Sequence, residues 1–333
     1  MRVLVTGGAG YIGAHTSRLL AERGDYVLVV DDLVTGSRER IPELPVVSFN
    51  IANGSAAQLE SLLREHRIDA VIHFAAQKQV AESGQKPAWY YEQNVGSVAQ
   101  LLLAMEAAAV HKLVFSSSAA VYGEASGAIA EDAPTHPINP YGATKLVGEQ
   151  LISASSLAWP LRAASLRYFN VGGAGSPELG DTQALNLIPI CFKQIAANMP
   201  PLIYGDDYDT VDGTCVRDYV HVSDVAEAHL AVLNALPEQP GNTVLNIGTG
   251  VGTSVRQMVD AILQVSGSNL TAAVLDRRAG DPAAIVGVVD SILELTGWSA
   301  RYTVSDIVES AWVSRQHFES LSVRSWRDEL RSE

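Results

Sequence analysis

The sequence predicts a mixed α/β fold in which a doubly wound parallel sheet lies beside a smaller α/β lobe. Short runs of β-branched residues alternate with longer helical patterns through the first half of the chain. A glycine-rich stretch separates the first of these runs from the first helical pattern. Strands that alternate with helices at this pace are typical of βαβ units, which build a parallel sheet with helices on both faces.

The elements of the first half follow in order from the N-terminus. The predicted strands are 3–5, 26–30, 46–49, 70–74, 112–116 and 161–169. The predicted helices extend from the glycines to about residue 23, over 56–66 and 89–109, and from Pro140 onwards. The short apolar runs suit buried strands, and the longer stretches contain few residues that break a helix.

The pattern loosens after Asn170, where glycine, proline and aspartate cluster at 172–181 and 205–214. We expect this region to form the smaller, substrate-binding lobe. Further on, two helical stretches at 223–236 and 253–265 flank a strand at 243–247. The predicted domains are a dinucleotide-binding domain over 1–170, rejoined by parts of about 220–250, and a mainly substrate-binding domain over 171–333.

The composition limits the partners of the chain. Its 333 residues are 47% hydrophobic, which is enough to bury a large core. The formal net charge is -14, whereas binding to nucleic acid or to an anionic membrane needs a basic surface. Two cysteines without ligand spacing predict buried thiols, no metal site and a reducing compartment. No apolar run approaches the ~18 residues of a spanning helix, and we expect the cytoplasm.

The glycine-rich stretch has the spacing of a dinucleotide-binding loop. Gly7, Gly10 and Gly13 satisfy GxxGxxG between the first predicted strand and the first predicted helix. Glycines there permit a tight turn, and the helix N-terminus offers free N–H groups to a pyrophosphate. A glycine string alone is weak evidence, but its strand-turn-helix context predicts a Rossmann domain.

An acidic pair ends the second predicted strand, about 20 residues after the glycines. A carboxylate at Asp31 can accept hydrogen bonds from both hydroxyls of an adenosine ribose and would repel a 2′-phosphate. The pair therefore favours NAD over NADP, although two acids on a surface turn are the plain alternative.

Tyr141 and Lys145 form a YxxxK motif that follows Pro140. Proline suits the first turn of a helix, so the two side chains share one helical face. A lysine ammonium and a nicotinamide ring would lower the pKa of the tyrosine towards that of a general base. Without the glycine loop, an exposed amphipathic helix would explain the same spacing.

A serine run at 116–118 follows a predicted strand, at the end where parallel sheets bind ligands. One hydroxyl of this run can hydrogen-bond to a reacting sugar oxygen. At least one serine is expected instead to satisfy its own loop backbone.

These motifs together resemble the extended short-chain dehydrogenase/reductase family, and within it the nucleotide-sugar 4-epimerases. The resemblance rests on the Gly7 loop and on 73–76, 116–123, 141–145, 166–170, 204–222 and 277–282. It covers almost the whole chain, and the tail beyond about His317 is uninformative.

The resemblance implies a role for each matching residue. It implies a catalytic triad of Ser118, Tyr141 and Lys145. It implies NAD contacts from Gly7, Gly10, Tyr11, Ile12, Gly13, Asp31, Asn50, Ile51, Phe74, Ala75, Lys78, Asn94, Tyr141, Lys145 and Phe169. It implies UDP-sugar contacts from Ser118, Tyr141, Asn170, Asn186, Leu187, Tyr204, Arg217, Arg278, Asp281 and Ile285. Ion pairs of Arg217 with Asp218, or of Arg278 with Asp281, are the alternative for the arginines.

Three positions depart from the family pattern. Ala120 replaces a threonine near the reacting hydroxyl, and Asn50 replaces an aspartate beside the adenine. Ile285 occupies a position at which the family admits or excludes N-acetylated sugars, and a residue smaller than tyrosine leaves room for them.

The implied activity is interconversion of UDP-galactose and UDP-glucose through a 4-keto intermediate with tightly bound NAD. Another nucleotide-sugar epimerase, a 4,6-dehydratase or a decarboxylase of the same family is the alternative. The dehydratases and decarboxylases, however, carry Asp-Glu where this chain has Ser118-Ala119. A non-catalytic NAD-sensing protein is the rival from another class. The resemblance also implies a homodimer, to which the apolar helix at 97–109 can contribute.

Overall fold

The computed structural model describes residues 1–278 and 280–332, with side chains as far as residue 321. The strands within these ranges are β1 Arg2–Thr6, β2 Tyr26–Asp31, β3 Val46–Ser48, β4 Ala70–His73, β5 Lys112–Ser116, β6 Gly127–Ile129, β7 Arg162–Tyr168, β8 Asn170–Gly172, β9 Leu202–Tyr204, β10 Val216–His221, β11 Gly241–Ile247, β12 Gly252–Ser254, β13 Ala273–Leu275 and β14 Ala284–Gly287. The helices are α1 Tyr11–Glu22, α2 Ala56–Glu65, α3 Val80–Gln85, α4 Pro87–Tyr90, α5 Gly96–Ala108, α6 Pro140–Ala158, α7 Leu187–Ala196, α8 Val222–Ala235, α9 Val255–Ser266, α10 Asp290–Thr296 and α11 Val304–Ser332.

A seven-stranded sheet forms the centre of the molecule, with the strand order β11-β7-β5-β4-β1-β2-β3. All of its pairings are parallel. Strands β2 and β3 lie on one side of β1, and β4, β5, β7 and β11 follow in order on the other side. This is the doubly wound arrangement. The predicted α/β fold class is confirmed.

Alternate residues of β1 pack on opposite faces of this sheet. Val3 and Val5 belong to a buried cluster that includes residues of α1 and α8. Leu4 belongs to a second cluster, which includes residues of α2 and α5. Because successive strand residues point to opposite faces, the apolar residues of β1 are buried on both faces, and each face is covered by helices.

Smaller sheets are built mainly by the second half of the chain, with β6 contributed from the first half. A five-stranded sheet has the order β12-β10-β14-β6, with β8 paired to β10. Strands β9 and β13 form a separate parallel pair. Strand β11 instead pairs with β7 at one edge of the large sheet. The domain boundary near residue 170 stays a prediction.

One predicted helix contains an irregular turn. The pattern at 89–109 predicts a continuous helix, and the chain is helical there. Residues Tyr91–Val95 form a π-helical turn between α4 and α5. Such single wide turns insert into α-helices and are common at functional sites.

Two negative findings apply to the part of the chain that the structure describes. No helix there has the length and apolarity to cross a membrane. No group of three or more His, Cys, Asp or Glu side chains there could hold a metal ion. Both cysteines are free and buried, as predicted.

Candidate active site

The glycine-rich loop between β1 and α1 packs so closely that two of its glycines have no room for a side chain. Gly7 has a φ of +65°, and a Cβ there would lie 2.7 Å from the Ala75 backbone nitrogen. A Cβ on Gly13 would lie 2.2 Å from the carbonyl oxygen of Gly7. Gly10 precedes α1, and no side chain caps the helix. The N–H groups of its first turn therefore remain available to an anion.

Asp31 ends β2 beside this loop and is buried. Its Oδ2 accepts a hydrogen bond from the Ala9 N–H at 3.0 Å, and its Oδ1 accepts one from the Leu33 N–H at 2.9 Å. Burial raises the pKa of the Asp31 carboxyl, and the two backbone hydrogen bonds oppose that rise. The carboxyl is therefore held in place at the wall of a cavity.

This glycine-loop cavity has a volume of about 180 Å³. Most of the predicted cofactor residues line it: Gly7, Gly10, Tyr11, Ile12, Gly13, Asp31, Asn50, Ile51, Phe74, Ala75, Lys78, Tyr141 and Lys145. Phe169 lines a second cavity instead. Asn94 lines neither of the two.

Asn94 lies in the π-helical turn, away from its predicted place in the cavity wall, and is 4% exposed. Its Oδ1 accepts a hydrogen bond from the Gln77 N–H at 2.8 Å. Its Nδ2 donates to the Gln77 carbonyl oxygen at 3.0 Å and to Thr144 Oγ1 at 2.9 Å. Because both ends of the amide are used within the protein, Asn94 ties the loop after β4 to α6.

Tyr141 and Lys145 lie one turn apart near the start of α6, as the spacing predicts. The helix begins at Pro140, where Asn139 Oδ1 accepts a hydrogen bond from the Gly142 N–H at 2.8 Å. Lys145 is 3% exposed. Its ammonium group is therefore held inside the protein next to the cavity wall.

The ionisation of these two groups is governed first by burial. Burial lowers the pKa of Lys145 to about 7, and Glu149 opposes that shift. Burial raises the pKa of Tyr141, and a hydrogen bond from Ser118 opposes the rise. The sequence predicts a lowered tyrosine pKa, which the protein groups alone do not produce, because desolvation of the phenol outweighs the hydrogen bond from Ser118.

The three serines of the run have three different partners. The Tyr168 hydroxyl donates a hydrogen bond to Ser116 Oγ, and Ser117 donates one to Glu149. Ser118 Oγ accepts the Ala120 N–H at 3.1 Å. The expected backbone role thus applies to Ser118 as an acceptor, while its O–H is the donor towards Tyr141.

Tyr141 lies where two cavities meet. The second cavity, which we call the Ser118 cavity, has a volume of about 660 Å³. Of the two cavities, Ser118 lines this one and Lys145 lines the glycine-loop cavity, whereas Tyr141 lines both. A molecule bound on either side therefore has access to the same phenol.

The predicted nucleotide-sugar residues divide between the Ser118 cavity and its surroundings. Those that line it are Ser118, Tyr141, Asn170, Asn186, Leu187, Arg217 and Ile285. Ala120 lines it too. Tyr204, Arg278 and Asp281 are not part of its wall.

These three residues make other contacts. The guanidinium carbon of Arg278 lies 3.8 Å from the centroid of the Tyr204 ring. Arg217 Nη2 lies 3.4 Å from Asp281 Oδ1. Neither ion pair suggested as an alternative is found among the described residues. Arg217 pairs with Asp281 instead, and Asp218 accepts N–H groups from the loop after β11.

Arg40 and Tyr168 are two of the cavity-wall residues that were not among the predicted site residues. Arg40 lines the glycine-loop cavity, and its Nη2 donates to the Gly180 carbonyl oxygen at 3.2 Å and to Thr182 Oγ1 at 3.1 Å. No sequence signal marks Arg40, since its partners lie 140 residues away. Tyr168 lines both cavities, and its place in the motif at 166–170 was an available signal.

A buried ion pair joins α6 to β7. Arg167 on β7 donates to the Glu149 carboxylate at 2.9 and 2.6 Å, and neither side chain is more than 6% exposed. Glu149 follows Lys145 by one turn, and its carboxylate also accepts the Ser117 hydroxyl. The pair therefore fixes the turn that carries Lys145 against β5 and β7.

Comparison with known families and proteins agrees with this geometry. The model of the NAD dependent epimerase/dehydratase family matches residues 3–248. The UDP-glucose 4-epimerase of Azospirillum brasilense is 47% identical over 317 residues, which cover 93% of this chain and 90% of that protein.

Solved structures are similar over nearly the whole chain. A UDP-glucose-4-epimerase from Stenotrophomonas maltophila, with bound NAD and formylated UDP-arabinopyranose, is 39% identical with a TM-score of 0.90 and covers 96% of this chain and 99% of its own. The UDP-Glc/GlcNAc 4-epimerase of Campylobacter jejuni is 36% identical with a TM-score of 0.84, covering 95% and 99%.

Proposed function

The chain belongs to the NAD-dependent epimerase/dehydratase family, and we propose that it interconverts UDP-galactose and UDP-glucose by epimerisation at C4 of the sugar. One observation carries the proposal: the Tyr141 phenol lines both cavities. A cofactor in one cavity and a sugar in the other can then share a single proton donor and acceptor.

NAD is the cofactor, and the residues present fit it. A side chain at Gly13 would collide with the loop that a pyrophosphate approaches, and Asp31 places a carboxyl where a 2′-phosphate would be repelled. The glycine loop would hold the pyrophosphate, and Asp31 the adenosine ribose. Bound NAD would supply reversible hydride transfer with no net oxidation.

The chain itself moves one proton. Tyr141 takes the proton of the sugar 4-hydroxyl as the 4-keto intermediate forms, and gives it back when the alcohol is restored. Ser118 donates a hydrogen bond at the same oxygen, and the Lys145 ammonium favours the phenolate. Ala120 offers no hydroxyl, so Ser118 fulfils this role without the auxiliary hydrogen bond that a threonine would add.

The nucleotide diphosphate needs cations and N–H donors. Arg217 and Arg278 supply guanidinium forks that match phosphate oxygens. The N-terminus of α7, at Asn186 and Leu187, has no side-chain cap, so the N–H groups of its first turn can bind an anion. The remaining contacts assigned to the nucleotide sugar are Asn170, Tyr204 and Asp281.

N-acetylated UDP-hexosamines are a second candidate substrate class. Ile285 on β14 lines the Ser118 cavity, and its side chain is smaller than the tyrosine that closes this position elsewhere in the family. The space left beside it is the observation that favours acceptance of an N-acetyl group.

Two rival activities have less support. A 4,6-dehydratase or a decarboxylase needs an additional acid and base beside the sugar, and Ser118-Ala119 provide neither. A non-catalytic NAD sensor would have no need of Ser118, Tyr141 and Lys145 together at the junction of the two cavities.

The assembly and the compartment are also part of the proposal. We infer a homodimer in which α5 and α6 contribute, because Leu103 and Leu157 on these helices are 56% and 90% exposed. The two free thiols support a reducing compartment, and we place the protein in the cytoplasm.

The test is to incubate the purified protein with UDP-galactose and no added NAD. We expect UDP-glucose to accumulate until the two sugars reach equilibrium, because the cofactor stays bound through turnover. A dehydrated or decarboxylated product would assign the chain to a rival activity. The absence of any product from every nucleotide sugar tried would support the sensor.

A further inference from the structure

The glycine-loop cavity extends across the large sheet to a cluster of amide and carboxyl groups. Tyr141 lines the cavity on the β5 side of β1, and Asn50 lines it just beyond β3, at the opposite edge of the sheet. Asp32 and Gln93 line the same far end. A dinucleotide whose reactive ring faces Tyr141 therefore places its purine beside Asn50, and the inference below rests on that proposed site.

The Asn50 amide is held on both sides. Its Nδ2 donates to Asp32 Oδ2 at 2.9 Å and to Gln93 Oε1 at 3.3 Å. Its Oδ1 accepts the Asn53 N–H at 3.0 Å. Both amide protons are thus used, and one lone pair of the oxygen remains.

Only one orientation of the amide satisfies these partners. The Asp32 carboxylate can only accept a hydrogen bond, and the Asn53 N–H can only donate one. A half-turn of the amide would bring Oδ1 against the carboxylate and the NH₂ group against an N–H. The charge-assisted bond to Asp32 makes that exchange especially unfavourable.

We propose that Asp32 sets the base selectivity of the cavity by holding the Asn50 amide with its oxygen as the acceptor. That oxygen can accept a hydrogen bond from the 6-amino group of adenine. A 6-oxo purine would instead present an oxygen to an oxygen. Asp32 also explains why an amide stands at position 50, since an aspartate there would place two carboxylates within hydrogen-bonding distance of each other.

The test measures which dinucleotide the protein retains. Wild type, Asp32→Asn and Asp32→Ala are exchanged against an equal mixture of NAD and nicotinamide hypoxanthine dinucleotide, then desalted. The bound dinucleotides are separated by chromatography and quantified. Any contact of Asp32 with the ribose is common to both dinucleotides and cancels in their ratio.

We expect the wild type to retain NAD over the 6-oxo dinucleotide by at least about tenfold. In both Asp32 variants the ratio should fall, and further in Asp32→Ala than in Asp32→Asn, because the charge-assisted bond that disfavours a half-turn of the amide is lost and mainly the Asn53 N–H still opposes it. The double variant Asp32→Ala with Asn50→Asp is the matched control: its single carboxylate is an acceptor in every orientation, so the preference should persist even if total retention falls.

An unchanged ratio in a folded Asp32 variant would overturn the inference, while dinucleotide retained by the wild type would leave the proposed NAD site standing. Wild-type protein that retains neither dinucleotide would overturn the NAD site, and this inference with it.

Discussion

The Nζ atom of Lys145 lies 5.9 Å from the centroid of the Tyr141 ring, one helical turn away. The ammonium donates a hydrogen bond to the Ser116 carbonyl oxygen at 2.7 Å. Lys145 is buried, and an ammonium at this distance can favour a phenolate through space, because electrostatic attraction is stronger in the protein interior than in water.

Stability should fall in acid because histidines are buried in their neutral form. His229 is fully buried against Phe74 and Tyr168, and burial lowers its pKa to about 4. Between pH 6.5 and about 4 the unfolded chain therefore binds a proton that the folded chain does not. The free energy of unfolding therefore rises with pH in this window. The contribution of the neutral His229 to it is lost as the pH falls from 6.5 to about 4.

The matched variant is His229→Phe. Phenylalanine keeps an aromatic ring between the same neighbours. It loses the hydrogen bond from Nδ1 to the Val225 carbonyl oxygen, while Nε2 has no partner among the described residues. We expect urea unfolding of this variant to show a pH slope between 6.5 and 4 that is shallower by up to about 1.4 kcal/mol per pH unit. Parallel slopes for the two proteins would contradict the assignment.

The ion pair of Glu149 and Arg167 should make a large contribution when one partner alone is removed. Glu149→Gln leaves a buried guanidinium without its counter-charge, which costs about 3–5 kcal/mol of unfolding free energy. The double variant with Arg167→Met removes both charges and should recover part of that loss. Chemical denaturation of the single and double variants gives the coupling, and additive losses would rule out the pair as the cause.

Much of the fold could be predicted because its signals are local. β-branched runs marked the large-sheet strands, and the β11 prediction at 243–247 lies within the observed strand. The glycine loop and the YxxxK motif each need only a few adjacent residues, and the predicted resemblance to the extended short-chain dehydrogenase/reductase family is confirmed.

The features that the sequence did not predict depend on three-dimensional packing and on contacts between distant parts of the chain. The π-helical turn that directs Asn94 towards Gln77 could not be predicted from the sequence. The residues of such a turn are the same types that an ordinary α-helix contains, so no sequence pattern marks it. The raised pKa of Tyr141 follows from how deeply the phenol is packed, which spacing does not specify. Arg315 on α11 lines the Ser118 cavity, although the sequence around it carries no motif.

Ile285→Tyr should narrow the range of sugars. The larger side chain fills the space beside β14, so turnover of UDP-N-acetylglucosamine should fall by at least about tenfold while UDP-galactose is little affected. Ile285→Val is the control, because it removes one methylene and should leave both activities similar. Equal loss of both substrates in the tyrosine variant would reject Ile285 as the selective residue.

The central claim is that Tyr141 exchanges a proton with a sugar while the cofactor lies on its other side. Its most direct measurement compares Tyr141→Phe with Tyr26→Phe, whose hydroxyl bonds only to His66 among the described residues. Both variants are assayed for UDP-galactose conversion and for NAD retained after purification. We predict that Tyr141→Phe loses about 10²–10⁴-fold in rate with its NAD content unchanged, and that Tyr26→Phe loses neither. A Tyr141→Phe protein that converts UDP-galactose at the wild-type rate would contradict the claim.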